Sequence, residues 1–241
     1  MTESTLDLRG VGFAVQPAPG RGRHQAMHLE AQFKKGCHAI VVQDEAQADA
    51  LLLTCTGMKR PLWGRVRYNQ QDVHNSPAAR AQMTSLYREE LTELEAFTQQ
   101  RVGAFFNWAL TQLHQTNSVQ ADPPRLPVAL ASLADRKLSE LEPFERRLLM
   151  CEIAFCHPAP RVAVLYEPWS VLGGTVSLSP ERRWLDELRR LTGLGAIVLV
   201  VTMSQEHAVR TTAHVLHTAF IGPQKRPWLS QKRPWLWRAA L

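Results

Sequence analysis

The sequence has no apolar run of the roughly eighteen residues that a membrane-spanning helix needs, so we expect none. Its opening residues, MTESTLDLRG, contain no basic stretch followed by an apolar one, so we expect no secretory signal either. Cysteine is scarce, and no CxxC pair occurs among Cys37, Cys55, Cys151 and Cys156. This usage favours reduced, mostly buried thiols and a cytoplasmic location.

Positive charge is in modest excess, with a formal net charge of +6 and a pI of about 9.5. A nucleic acid, an anionic membrane surface or an acidic protein partner would each suit that balance. The basic residues are scattered, which favours a generally basic surface over a dedicated site. Residues 59–67, KRPLWGRVR, interleave cations with Trp63, and this leaves a basic nucleic-acid-binding module as an alternative.

Apolar periodicity predicts strands at both ends of the chain. Residues 6–15 and 27–33 alternate between apolar and polar side chains, as half-buried strands do. The run AIVLVVT at 196–202 is continuously apolar, which is typical of a central strand covered on both faces.

Helices are predicted between these strands. The segment ADALLLTC precedes Gly57, a residue type that commonly follows a helix. Further helices are predicted from Pro77, with a helical region reaching about residue 115, from Pro143 and from Pro180. The order of strands, helices and then strand–helix–strand indicates an α/β fold with a helical insertion.

Three segments together resemble the nucleotide-binding domain of ABC transporters, a branch of the P-loop NTPases. They are LLLTCTGMKRPLWGRVRYNQQDV, HPAPRVAVLYEPWSVL and GAIVLVVTMSQEHA, in the order that the family has them. The resemblance covers about residues 6–221. It implies an α/β fold with a mixed-sheet core flanked by helices and an inserted helical subdomain.

The resemblance also divides the chain. Residues 1–78 and 155–222 correspond to the α/β core, and residues 79–154 correspond to the helical subdomain. Residues 223–241 form a tryptophan-rich basic tail in which QKRPWL occurs twice.

The family's phosphate loop is glycine-rich and ends in Gly-Lys-Ser/Thr, whereas this chain reads QDEAQADA at that place. Alignment puts Ala48 at the lysine and Asp49 at the hydroxyl that binds Mg²⁺. Backbone amides approach phosphates closely only where glycines allow it, and the lysine neutralises phosphate charge. Asp44, Glu45 and Asp49 would instead repel a triphosphate.

The other motifs that the resemblance implies are altered as well. Tyr166 replaces the aspartate that orients Mg²⁺, and Met203 stands where the switch histidine is expected. His207 lies in the following predicted helix, which makes it a poor substitute. The signature segment begins with Leu138 and continues as SELEPFERR, without the glycines. Glu167 alone matches the usual general base.

These losses predict a pseudo-ATPase with no catalytic residues, no cofactor and no bound metal. We expect a scaffold or regulatory subunit with protein partners, such as an ABC-type ATPase or a membrane permease, in a homo- or heterodimer. Its location would be cytoplasmic, or peripheral at the inner face of a membrane. A divergent ABC ATPase working in a heterodimer with an active partner is the alternative from another class.

Two groups of aromatic residues are predicted to bind partners. The helical region has more bulky apolar side chains than one buried face needs, and the tail has three tryptophans. The residues are Phe97, Phe105, Phe106 and Trp108, and then Trp228, Trp235 and Trp237.

A metal site needs at least three converging ligands. Two groups hold three candidates each, namely Cys151, Cys156 and His157, and then His207, His214 and His217, which could share a helix face. No additional cluster of carboxylates or cysteines accompanies either group in the sequence, so no metal is expected.

Overall fold

The structure is a computed structural model with two sheets and helices around them. It describes residues 4–15, 25–86, 97–117, 126–156, 160–167, 178–212 and 214–217. Within these ranges no helix is long and apolar enough to cross a membrane.

The first sheet is antiparallel and has four strands. In spatial order they are β2 (Gln25–Lys34), β1 (Thr5–Val15), β4 (Trp63–Tyr68) and β5 (Gln71–Asp72). Leu6 and Leu8 of β1 and Met27 and Phe33 of β2 are buried on one face, while Arg9 is exposed. The alternation predicted for β2 is confirmed, whereas in β1 a register shift between Leu8 and Val11 moves the buried positions by one residue.

The second sheet is parallel and has five strands. In spatial order they are β6 (Met83–Leu86), β7 (Val162–Tyr166), β8 (Ile197–Thr202), β3 (Gly36–Val41) and β9 (His214–His217). Every residue of β8 is buried, because this strand has a neighbour on each side and covered faces. The prediction of a central strand here is confirmed.

The helices pack around and between the sheets. They are α1 (Glu45–Cys55), α2 (Pro77–Arg80), α3 (Val102–Asn117), α4 (Pro143–Phe155), α5 (Leu178–Gly193) and α6 (Gln205–Thr211), with 3-10 turns at Val128–Leu133 and Leu138–Glu140. Leu51 and Leu52 of α1 join one buried cluster with side chains of both sheets, so α1 lies in the main core. As predicted, Gly57 follows this helix with a φ of +79°, a conformation that favours glycine.

The helical prediction from Pro77 to about residue 115 is wrong at residues 83–86. Ser76 does cap α2, its hydroxyl accepting from the Ala79 amide at 3.1 Å, but the helix ends at Arg80. The next segment is β6, with Thr84 and Leu86 buried, and it pairs with β7. Pairing with a distant strand overrides the local helical preference. These four residues thus form a strand of the parallel sheet.

Candidate functional site

The carboxyl ends of β3, β7 and β8 lie side by side at one edge of the parallel sheet. Ligands of open α/β sheets bind in crevices outside the carboxyl ends of strands. The residues that follow these strands are Val42, Glu167 and Met203. Two of the positions singled out in the sequence, Glu167 and Met203, therefore lie at the edge of the sheet where such folds bind ligands.

The connection from β3 to α1 consists of residues 42–44 alone, because α1 already begins at Glu45. The Asp44 carboxylate caps the helix, with Oδ1 accepting from the Gln47 amide at 2.8 Å. The Gln47 side chain is fully buried, and its Oε1 accepts from the Gln43 amide at 3.0 Å. At and just before the start of α1, backbone amides thus donate hydrogen bonds to side chains of the same chain. In other proteins, amides at a helix start bind phosphate.

Ala48, at the position of the family's lysine, lies within the first turns of α1 and is fully buried in the main core cluster. Its amide donates to the Asp44 carbonyl at 3.2 Å. Asp49 is half-buried one residue later. A side chain at position 48 therefore points into the core and not toward the crevice.

Glu167 is fully buried just beyond β7. Its amide donates to the Val201 carbonyl at 2.9 Å, which continues the pairing with β8. The carboxylate has two close partners: Oε2 accepts from the Thr202 hydroxyl at 2.8 Å, and Oε1 lies 2.7 Å from Nδ1 of His207. A buried carboxylate needs such partners to offset the loss of water.

His207 reaches Glu167 because the start of α6 is fixed. Ser204 caps the helix, with its hydroxyl accepting from the His207 amide at 3.2 Å, and the Ser204 amide donates to Oγ1 of Thr202 at 2.9 Å. The imidazole is 29% exposed and the carboxylate 1%, so the histidine links a buried acid to the surface. His207 lies in α6, the helix that the sequence predicted for it.

Tyr166 is fully buried at the position of the family's metal-orienting aspartate. The guanidinium carbon of Arg147, from α4, lies 5.3 Å from the centre of its ring, within the range of a cation–π contact. Met203 is half-buried against the main core cluster. A buried aromatic ring packed against Arg147, and not a carboxylate, therefore ends strand β7.

The start of α4 corresponds to the signature segment, and acidic side chains cap it. Pro143 is the first helical residue, and the Glu142 amide donates to Oε2 of Glu145 at 2.9 Å. The other oxygen of Glu145 lies 2.6 Å from Nη1 of Arg136. The Glu145 carboxylate thus lies at the amino end of this helix, where negative charge is favoured.

The structure corrects part of the predicted partner surface. Phe106 is fully buried and Phe105 is 5% exposed, because both pack into the cluster that α3 forms with α4. Trp108 is 43% exposed, and Phe97 is half-buried with its ring centre 4.8 Å from that of Trp108. Trp228, Trp235 and Trp237 lie outside the described residues.

Among the residues that the structure describes, no group of three His, Cys, Asp or Glu side chains could hold a metal ion. His214 and His217 lie in strand β9, so the shared helix face predicted for them with His207 is wrong. Burial raises the pKa of the Cys55 thiol to about 12 and that of Cys37 to about 11, which disfavours the reactive thiolate. His157 lies outside the described ranges.

Trp63, the aromatic residue of the basic segment, packs on the backbone of β1. Its ring atoms stand as near as 2.2 Å to where a Cβ on Gly12 would lie, so glycine is required there. Arg65 is exposed beside it. The Trp63 ring is half-buried against β1, so it is not a fully exposed surface for stacking on a nucleic-acid base.

No protein-family model and no curated protein matches the chain. Solved structures do. A Pyrococcus furiosus protein described as an ABC transporter ATP-binding protein is 14% identical, with a TM-score of 0.61 over 88% of this chain and 96% of its own. An ATP-binding subunit of an ABC transporter is 12% identical, with a TM-score of 0.66 over 90% and 86%.

A third similar structure is cbiO1 from Clostridium perfringens, described as part of the ABC transporter complex cbiONQ. It is 13% identical, with a TM-score of 0.57 over 90% of this chain and 85% of that one. At these identities the likeness concerns the fold. The chain has the α/β fold seen in these ABC-transporter ATP-binding proteins, as the sequence motifs predicted.

Proposed function

We propose that this chain is a catalytically inactive ABC-type subunit that acts through protein contacts. The observation that carries the proposal is the closed connection between β3 and α1. There the Asp44 carboxylate and the Gln47 side chain bind the amides that a phosphate would need.

Phosphoryl transfer depends on positioning the phosphates and neutralising their charge. At the lysine position the chain has a buried alanine, Ala48, and at the metal position a buried tyrosine, Tyr166. Asp44 and Glu45 add negative charge at the start of α1, where a triphosphate would have to sit. Each change weakens a different contribution to ATP binding, so together they support inactivity.

The proposed role is that of a scaffold or regulatory subunit. ABC-type proteins with this fold include cbiO1, described as part of a transporter complex. The partner would be an ABC-type ATPase or a permease, in a homo- or hetero-oligomer, and a permease would hold the chain at the inner face of a membrane. Trp108 with Phe97 and the tryptophans of residues 223–241 are the proposed contacts.

One observation favours a second candidate, a divergent ATPase subunit that borrows catalytic residues from an active partner. Glu167, at the general-base position, keeps a carboxylate whose Oε1 lies 2.7 Å from Nδ1 of His207. In that case Glu167→Gln would lower the rate of ATP hydrolysis by the assembled complex. For an inactive subunit the same complex would keep its full rate.

The test is direct nucleotide binding and hydrolysis by the purified chain. We expect no MgATP-dependent shift in melting temperature and no phosphate release above a blank. An active ABC ATP-binding subunit handled in parallel is the positive control. Saturable phosphate release by the purified chain that Glu167→Gln abolishes would refute the proposal.

A further inference from the structure

The loop between α1 and β4, residues 56–62 and here called the α1–β4 loop, exposes two long apolar side chains that the proposed function does not use. Met58 is 65% exposed and Leu62 is 53% exposed. Single exposed apolar residues are normal on a protein surface, but these two belong to one short loop. Their Cα atoms are at most about 15 Å apart, so one element of a partner can cover both.

Backbone hydrogen bonds hold the α1–β4 loop to the fold at two places. The Lys59 amide donates to the Leu53 carbonyl, in the last turn of α1, at 2.9 Å. The Leu62 amide donates to the Gly12 carbonyl of β1 at 2.8 Å. A loop whose backbone is already held in place loses little conformational freedom when it binds, which favours association.

Positive charge accompanies the two apolar side chains. Residues 50–71 contain no Asp or Glu but four basic residues, Lys59, Arg60, Arg65 and Arg67. Arg65 lies opposite another arginine, Arg9, in the register of β4 with β1, and like charges opposite one another are unfavourable. Lys59, Arg60 and Arg65 form no ion pair with any residue that the structure describes. These three cations are therefore available to carboxylates of a partner.

Neither a lipid bilayer nor a nucleic acid fits this combination of side chains. Met58 and Leu62 together have less apolar surface than a single myristoyl chain, which by itself gives only marginal membrane binding. Nucleic-acid binding combines cations with stacking aromatic rings, whereas these two side chains are not aromatic and the neighbouring Trp63 is half-buried. Exposed apolar side chains beside cations suit a protein surface that offers an apolar pocket and carboxylates.

We infer that the α1–β4 loop binds an acidic amphipathic segment of a protein partner. Met58 and Leu62 pack against the apolar side of that segment, and its carboxylates pair with Lys59, Arg60 and Arg65. The net charge of +6 adds long-range attraction for an acidic segment. The inference rests on the proposed role in protein contacts, and it adds the chemistry of one partner surface. It is separate from the aromatic contacts proposed above.

Fluorescence anisotropy of a labelled synthetic peptide with the full chain tests the contact. The peptide combines leucine and glutamate at helical spacing, and two counterparts replace either glutamate by lysine or leucine by serine. We expect saturable binding of the leucine–glutamate peptide and binding of both counterparts that is weaker by about tenfold or more.

Variants of the full chain locate the binding surface. Leu62→Ser and Lys59→Glu should each weaken binding of the leucine–glutamate peptide by about tenfold or more. Val209→Ser is the control for the apolar change, since Val209 is 62% exposed on α6, and Arg182→Glu on α5 is the control for the charge change. Both controls should bind the peptide nearly as wild type does, and thermal melts check that each variant is folded.

Failure of the leucine–glutamate peptide to bind the wild-type chain would overturn the inference. Binding that survives Leu62→Ser and Lys59→Glu, or that the two controls weaken equally, would place the contact elsewhere and overturn it as well. Binding of a single-stranded oligonucleotide or of anionic vesicles that these loop variants abolish would overturn it in favour of that ligand. MgATP hydrolysis by the chain would refute the proposed inactivity but would leave a loop-dependent peptide contact intact, so the two failures are distinguishable.

Discussion

Nδ1 of His207 lies 2.7 Å from Oε1 of Glu167, and this contact ties helix α6 to the end of strand β7. The same carboxylate accepts from the Thr202 hydroxyl, at the end of β8. Glu167 therefore links three elements at the edge of the sheet. In the present account these contacts are structural, so their loss changes stability and not ATP turnover.

Removing the Glu167 carboxylate is expected to destabilise the fold. Glu167→Ala leaves the Thr202 hydroxyl and the His207 ring without their buried partner, which costs about 1–3 kcal/mol of unfolding free energy. Urea denaturation measures the loss, and Val209→Ala on the exposed side of α6 is the control, expected within about 0.5 kcal/mol of wild type. An unchanged unfolding free energy in Glu167→Ala would show that the contacts do not support the fold.

Removing the Asp44 cap is expected to weaken α1 without creating an ATP site. Asp44→Ala loses the side-chain acceptor of the Gln47 amide and costs about 1 kcal/mol, whereas Asp44→Asn keeps an acceptor and costs less. Thermal unfolding ranks the two variants. Acquisition of MgATP binding by Asp44→Ala would mean that one carboxylate alone closes the site, contrary to the account.

Stability is expected to fall in mild acid because of His74. Burial is the main cause that lowers the pKa of this histidine from 6.5, so protonation costs more in the folded chain than in the unfolded one. The folded chain is therefore favoured above pH 6.5 and loses that stability as the pH falls toward the lower folded pKa.

Comparison with His74→Gln isolates the effect. The unfolding free energy of wild type minus that of the variant should shrink between about pH 7.5 and about pH 5. Val209→Ala on the exposed side of α6 keeps every titratable group, so it serves as the control and should follow wild type at each pH. A constant difference for His74→Gln would argue against the burial effect.

Deletion of residues 224–241 is expected to weaken assembly with protein partners. The two Lys-Arg-Pro-Trp-Leu repeats combine cations with rings that favour interfaces, and proline limits the entropy lost on docking. Co-purification of the tagged chain with its complex measures assembly, and flotation with anionic liposomes should show no binding by either form. Normal assembly of the truncated chain would make the tail dispensable.

The sequence alone located the elements whose patterns are local. The apolar run of β8 and the glycine after α1 were correctly interpreted, because burial on both faces and a helix end leave their marks within a few residues. The sequence also shows directly that alanine stands at the lysine position, Ala48, and that residues 43–47 contain no glycine. The Asp44 cap is local as well, because Asp44 immediately precedes the helix that it caps.

What the sequence could not provide depends on strand order. Strand β6 has only four residues and owes its conformation to pairing with β7, so its helical surroundings misled the prediction. Glu167 and Thr202 are 35 residues apart and meet only because β7 and β8 are neighbours. The burial of Phe106, taken as a partner contact, likewise depends on how α3 packs against α4.

The most direct test of the central claim is isothermal calorimetry of the full chain with MgATP at millimolar concentration. The closed connection at Asp44 and Gln47 predicts no saturable heat. A dissociation constant below about 100 μM, equivalent to about −5.5 kcal/mol, would contradict the account and show that the site still accepts a nucleotide.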